Sequence, residues 1–204
     1  YWSMLSKGET KLFGWAKSRW FETIVAIKFV YDRYHEGWLV DLTKLLKKQG
    51  LDYNKCIPYW AFRKVGWFHK DHIVNIGMML KYEALYCEMT GEPYFDKAEM
   101  LRDALDKFHG TVFEGFTGDE CLSGKSPIQG TELCAITEQM YSYEHLFAYS
   151  GDNKWAERLE FLGFNALPAT ISDDMWTHQY VQLSNQIACE KFPARSLFGT
   201  NGDE

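Results

Sequence analysis

Residues 133–162 read LCAITEQMYSYEHLFAYSGDNKWAERLEFL. Leu133, Ile136, Met140, Tyr143 and Phe147 recur in steps of three and four, the apolar stripe of an amphipathic helix. The pattern stops at Gly151, a residue able to take the left-handed conformation that ends a helix. An acidic turn follows. Trp155, Leu159 and Leu162 then begin a second stripe. Two helices joined by so short a turn must run antiparallel, as an αα-hairpin.

The same design appears twice upstream, in YDRYHEGWLVDL (31–42) and YCEMTGEPYFDKA (86–98). An aromatic-rich helix runs to a glycine, an acidic turn follows, and an aromatic residue opens the return. Gly37, Gly91 and Gly151 stand 54 and 60 residues apart, so the hairpin repeats with a solenoid-like period. Further stripes run through Trp20, Ile24, Ile27 and Tyr31, and through Leu39, Leu42, Leu45 and Leu46. Two more are Ile73, Ile76, Leu80, Ala84 and Cys87, and Ala98, Leu101, Leu105 and Phe108. Strand signals are nearly absent. The expected fold is all-α, built of helical hairpin repeats. Such hairpins either stack as an open array or close into an α/α toroid whose inner ring surrounds a pocket. The length and aromatic content of these helices favour closure. Irregular stretches at 50–70, 110–131 and 165–204 separate the hairpins, and loops this long in a compact domain usually carry function.

The chain has 204 residues, of which 46% are hydrophobic and 17% aromatic, which excludes disorder. A net charge of -6 without a Lys/Arg cluster argues against a nucleic-acid surface. An acidic, aromatic-rich chain suits carbohydrate, whose C–H faces stack on rings, although core packing uses the same residues. No apolar run approaches the roughly 20 residues that cross a bilayer, so no membrane partner is expected. Cys56, Cys87, Cys121, Cys134 and Cys189 are an odd set without close pairing, which points away from a disulfide framework or a zinc knuckle. The start within a helical pattern and the stop in a turn read as a piece of a longer catalytic domain, 1–204. Neither compartment nor oligomeric state can be read.

The candidate chemistry lies in the loops and at helix starts. Glu132 and Cys134 open the helix of residues 133–150, where the dipole favours a carboxylate and eases deprotonation of a thiol. A carboxylate and a thiolate side by side suit Zn²⁺, which would need two more donors. The other reading is a dipole-complementing Glu132 beside a small core thiol. Glu120 closes FTGDE, where burial and Asp119 would raise its pKa toward general acid/base work. His72 starts a helix and either donates to a sugar hydroxyl or caps and packs. Glu160 lies one position off its apolar stripe, and Tyr180 fits a core position.

Taken together, HIVNIGMMLKYEALY (72–86), GDECLSG (118–124), QGTELCAITEQMYSYEHL (129–146), RLEFLGFNALPA (158–169) and DMWTHQYVQLSNQ (174–186) resemble the β-L-arabinofuranosidase-like family, glycoside hydrolase family 127. The resemblance implies an α/α six-hairpin toroid acting on carbohydrate. It implies Glu120 as acid/base, with a shorter loop between it and the E-x-C motif. It implies Glu132 and Cys134 as two ligands of an active-site zinc, and His72, Glu160 and Tyr180 as sugar contacts. One departure is large. The family's nucleophile belongs to an adjacent cysteine pair that also completes the zinc shell, and this chain has no such pair. Cys189 falls too early, which puts the matching segment beyond Glu204. The family's accompanying β-sandwich domains are also missing. Residues 1–204 alone are therefore expected to hydrolyse negligibly. The implied reaction is a double displacement through a glycosyl-thioether, with retention. The alternatives are a metal-free toroid enzyme, such as an epimerase or unsaturated uronyl hydrolase, and a non-catalytic sugar-binding or scaffold protein.

Overall fold

The computed structural model describes residues 2–184 and residue 186, so Cys189 lies outside them. Two short helices, α1 (Trp2–Ser6) and α2 (Gly14–Ser18), precede α3 (Glu22–Tyr34) and α4 (Gly37–Gln49). After α5 (Ile57–Trp60) come α6 (Ile73–Met79), α7 (Tyr82–Thr90) and α8 (Lys97–His109). The last α-helices among the described residues are α9 (Leu133–Ser150) and α10 (Asn153–Asn165). The expected hairpins form as α3–α4, α7–α8 and α9–α10. Gly91 (φ 69) and Gly151 (φ 70) end α7 and α9 in the left-handed conformation. The first hairpin differs. Its left-handed residue is His35 (φ 52), whose N–H donates to Tyr31 O, while Gly37 is the first residue of α4. The turn is shorter than the glycine spacing suggested, so the left-handed position falls directly after Tyr34.

Helix α9 is central and packs against α6, α7 and α10. Its buried face is Ala135, Ile136, Gln139, Ser142, Tyr143 and Leu146, whereas Phe147 is exposed. The stripe is thus shifted from the apolar pattern, because two polar residues are buried with partners. Ser142 Oγ donates to Gly77 O at 2.7 Å, and Gln139 Oε1 accepts from Arg102 at 3.2 Å. Tyr143 stacks on Trp155 of α10, centroids 5.5 Å apart, both almost fully buried. Each such ring contributes on the order of 1.5–3 kcal/mol through burial.

The Ile73–Cys87 stripe is buried throughout, but Leu80 and Lys81 break it into α6 and α7. Lys81 is fully buried. Its ammonium lies 2.6 Å from Glu22 Oε1 of α3 and 3.8 Å from Glu138 Oε2 of α9, so one charge ties three helices together.

His109, at the end of α8, anchors the 110–131 loop. Its Nδ1 accepts from Gly124 N–H at 2.9 Å, which leaves Nε2–H to donate to Trp60 O at 2.6 Å. Burial lowers its pKa from the usual 6.5. Below about pH 6.5 the unfolded chain therefore takes a proton that the folded chain refuses, and stability falls as pH drops. Urea midpoints measured from pH 7.5 to 5.5 are expected to fall less steeply in His109→Gln than in the parent. The slope persists in part, because His72 and His145 are lowered by burial too.

Candidate active site

A small sheet, unforeseen in the sequence, assembles the candidate residues. Its strands are β1 (Gly118–Asp119), β2 (Cys121–Leu122), β3 (Gly130–Glu132) and β4 (Val181–Leu183), in the order β2-β1-β3-β4. β1 and β2 are antiparallel, β1 and β3 parallel, β3 and β4 antiparallel. His72 adds a bridge to Cys121 at the outer edge of β2. Strands of two or three residues are too short to display an alternating pattern. Close approach makes the sheet possible: a Cβ on Gly130 would sit 2.1 Å from Val181 Cγ1 of β4.

The sheet brings His72, Glu120, Glu132 and Tyr180 into one group. Glu120 makes the β1–β2 turn with φ 63. A left-handed glutamate costs on the order of 1–3 kcal/mol, the kind of strain that collects at functional sites. Its main chain is held on both sides. Its N–H donates to Glu132 Oε1, and its carbonyl accepts from Ile73 N–H at 3.1 Å. Its side chain is held as well. Tyr180 Oη donates to Oε1 at 3.0 Å, and His72 Nε2 lies 3.3 Å from Oε2.

The His72 tautomer follows from its other nitrogen. As N-cap of α6, His72 accepts from Asn75 N–H through Nδ1 at 3.4 Å, so the proton resides on Nε2 and points at Glu120. Capping and a site role are therefore both true of this residue. Burial lowers the His72 pKa, with Glu120 opposing and Arg19 assisting. The contact is a hydrogen bond from a neutral imidazole rather than an ion pair. Both Glu120 oxygens accept, which fixes the orientation of the carboxylate. Burial, with the charges of Glu132 and Glu120, pushes the Tyr180 phenol well up.

Glu132 is fully buried, and burial pushes its pKa up to about 8, with the charges of Glu120 and Asp119 adding to it. Cys134, two residues on, is exposed. Its thiol is raised, first by partial burial and then by the Glu132 charge, against the dipole-lowered thiol expected at a helix start. Burial is the larger cause, and it works against the easier ionisation expected at a helix start. Glu160 is exposed on α10, and no hydrogen bond or ion pair among the described residues joins it to Glu120.

Sequence reasoning missed the aromatic rim. Trp15 and Trp67 lie 5.2 Å apart at 33°, and His72 meets both edge-on at 5.1 and 5.3 Å. Asn75, also missed, is fully buried, donates to His69 O and accepts from Arg19 Nε at 2.7 Å. The available signal was Trp67, in the irregular 50–70 stretch, and Trp15, which no helical stripe claims. A cavity of about 340 Å³ lies beyond His69, walled by Gly14, Lys17, Ser18, Leu51 and Phe68; Glu120 is not among its walls.

No protein-family model matches the chain, and no curated protein does. Similar solved structures include two sugar-acting enzymes by title. One is a D-mannose isomerase, with 14% identity and a TM-score of 0.52, over 81% of this chain and 48% of that one. The other is a sugar epimerase from a ruminal bacterium, with 15% identity and a TM-score of 0.50, over 78% of this chain and 44% of that one. The chain thus spans about half the length of these structures. The likeness establishes the fold, helical hairpins of the α/α-toroid type. Among the described residues, no helix is long and apolar enough to cross a membrane.

Proposed function

We propose that residues 1–204 form the acid/base side of a retaining glycoside hydrolase of the β-L-arabinofuranosidase-like type. The carrying observation is Glu120, gripped by the His72 and Tyr180 side chains on a strained turn, with a second, buried glutamate against its main chain. The α/α-toroid type of fold and the sugar-acting titles of the two similar structures support a carbohydrate substrate. The motif resemblance supplies the finer reading.

In this scheme a cysteine thiolate from beyond residue 204 bonds to the anomeric carbon as the glycosidic C–O bond breaks, and Glu120 gives its proton to the departing oxygen. Water then replaces the sulfur while Glu120 takes the water proton, which frees the thiolate and retains configuration. His72 and Tyr180 keep Glu120 in place through both steps. Tyr180 Oη, which spends its proton on Glu120, can still accept from a sugar hydroxyl. The resemblance gives Glu160 the same task, from α10.

A zinc ion would be held by Glu132 and Cys134. The fit is specific at one atom: Glu132 Oε2 is buried without a hydrogen-bond partner, which a cation would satisfy. Among the described residues no three His, Cys, Asp or Glu side chains converge to hold a metal, so the other donors come from elsewhere. The ion would supply charge that keeps thiolates ionised at neutral pH. At Zn²⁺ near 100 Kd the parent protein is expected to melt roughly 5–10 °C higher. Glu132→Gln and Cys134→Ser should erase that shift, and a shift that survives both removes these ligands from the site.

The reaction is tested by following a β-L-arabinofuranosyl disaccharide by NMR with the full-length protein that supplies the proposed downstream thiolate. Release of arabinose with β configuration first is expected. An α product first rules out the double displacement, and no release rules out the class. A second reading, metal-free isomerisation or epimerisation by the Glu120–His72 pair, draws on the two similar structures. It predicts deuterium uptake from D₂O into a free sugar without glycoside cleavage.

A further inference from the structure

The stack beside His72 has no part in the chemistry above, yet it is built with care. Trp67 lies in the irregular run between α5 and α6 and stays 41% exposed. No hydrophobic stripe holds it. Instead Trp15, His69 and His72 fix its ring, at 5.2, 5.7 and 5.3 Å. Trp15 is braced in turn by the Arg19 guanidinium, 4.5 Å from its ring centroid, and Arg19 is tied to the buried Asn75. Trp176 and Trp38 are exposed as well, and what sets Trp67 apart is that three neighbouring rings hold its indole in place. Here the brace fixes the ring orientation before any ligand arrives, which lowers the entropy lost on binding.

Its position says what that ligand is. His72 touches Trp67 with its ring and Glu120 with Nε2. The platform therefore lies one imidazole away from the group that protonates the departing oxygen. The part of a glycoside bonded to that oxygen is the leaving group, so it must lie on the Glu120 side of the scissile bond. We infer that Trp67, braced by Trp15, is the stacking surface of a leaving-group subsite that takes a second sugar ring. The apolar C–H face of that ring lies on the indole. The inference rests on the acid/base role of Glu120 for its orientation, but not for the binding itself.

The test compares the parent protein with Trp67→Ala and Trp67→Phe on two substrates: a disaccharide, whose leaving group is a sugar, and the matching methyl glycoside, whose leaving group has no ring. Trp67→Ala is expected to lower kcat/KM for the disaccharide at least ten-fold more than for the methyl glycoside, and Trp67→Phe to restore part of the difference. Equal losses on both substrates overturn the subsite while leaving the hydrolase reading intact. Saturation-transfer NMR with the free leaving-group sugar gives a readout independent of turnover. Transfer should persist in Glu120→Gln and vanish in Trp67→Ala. Trp67-dependent transfer in a protein that cleaves no glycoside keeps the platform and removes the hydrolase. Transfer unaffected by Trp67→Ala removes the platform.

Discussion

Glu120→Gln in the parent protein is expected to cut glycoside hydrolysis by roughly 10²–10⁴-fold, the usual contribution of a general acid/base. Glutamine keeps the shape and can still accept from His72 or Tyr180, so the turn at φ 63 keeps its geometry and thermal melting should not move. What is lost is the ability to carry a proton. The loss should be smaller in the bond-breaking step for a nitrophenyl glycoside, whose leaving oxygen needs no proton, than for a sugar leaving group. A variant with parental activity on both substrates would remove Glu120 from the reaction. Because Glu132 is the more deeply buried carboxylate, the same measurement on Glu132→Gln decides which glutamate carries the proton.

The second large effect concerns the fold. Lys81→Ala is expected to destabilise the protein by about 3 kcal/mol, the lower end for breaking a buried ion pair. The full value does not apply, because Glu22 and Glu138 keep 26% and 29% exposure and regain some water. Three losses combine. Glu22 and Glu138 face each other without a counter-charge, the cation leaves the Tyr141 ring 4.8 Å away, and the Lys81 stem leaves a void. Lys81→Met refills the void without the charge and should recover part of the loss. Urea unfolding of both variants separates packing from charge. Equal stability of Lys81→Ala and the parent would show that the triad is incidental. Burial lowers the Lys81 pKa and raises that of Glu138, so the network holds its charges at a cost that only the pairing offsets.

The helices and their pairing were legible because α7, α8, α9 and α10 each carry a repeating apolar stripe, and Gly91 and Gly151 stop α7 and α9 at the hairpin turns. The site was legible only as separate residues. His72, Glu120, Glu132 and Tyr180 span over a hundred positions, and what joins them is a sheet of two- and three-residue strands. Trp15, Trp67 and Asn75 were not legible as site residues at all. An aromatic in a loop reads the same whether it packs or binds.

The sequence by itself determined the hairpin repeat and its stops at Gly91 and Gly151, since helical period and left-handed caps are local properties of a few neighbouring residues. It did not determine which face of α9 was buried or which carboxylate was driven toward neutrality. Those depended on groups far apart in the chain. Ser142 is buried because Gly77 and Met78 carbonyls wait on α6. Glu132 is pushed toward its neutral form because the fold buries it beside the Glu120 and Asp119 charges, against the opposing hydrogen bond from Glu120 N–H. Desolvation and contact act through space, so only the folded chain could decide them.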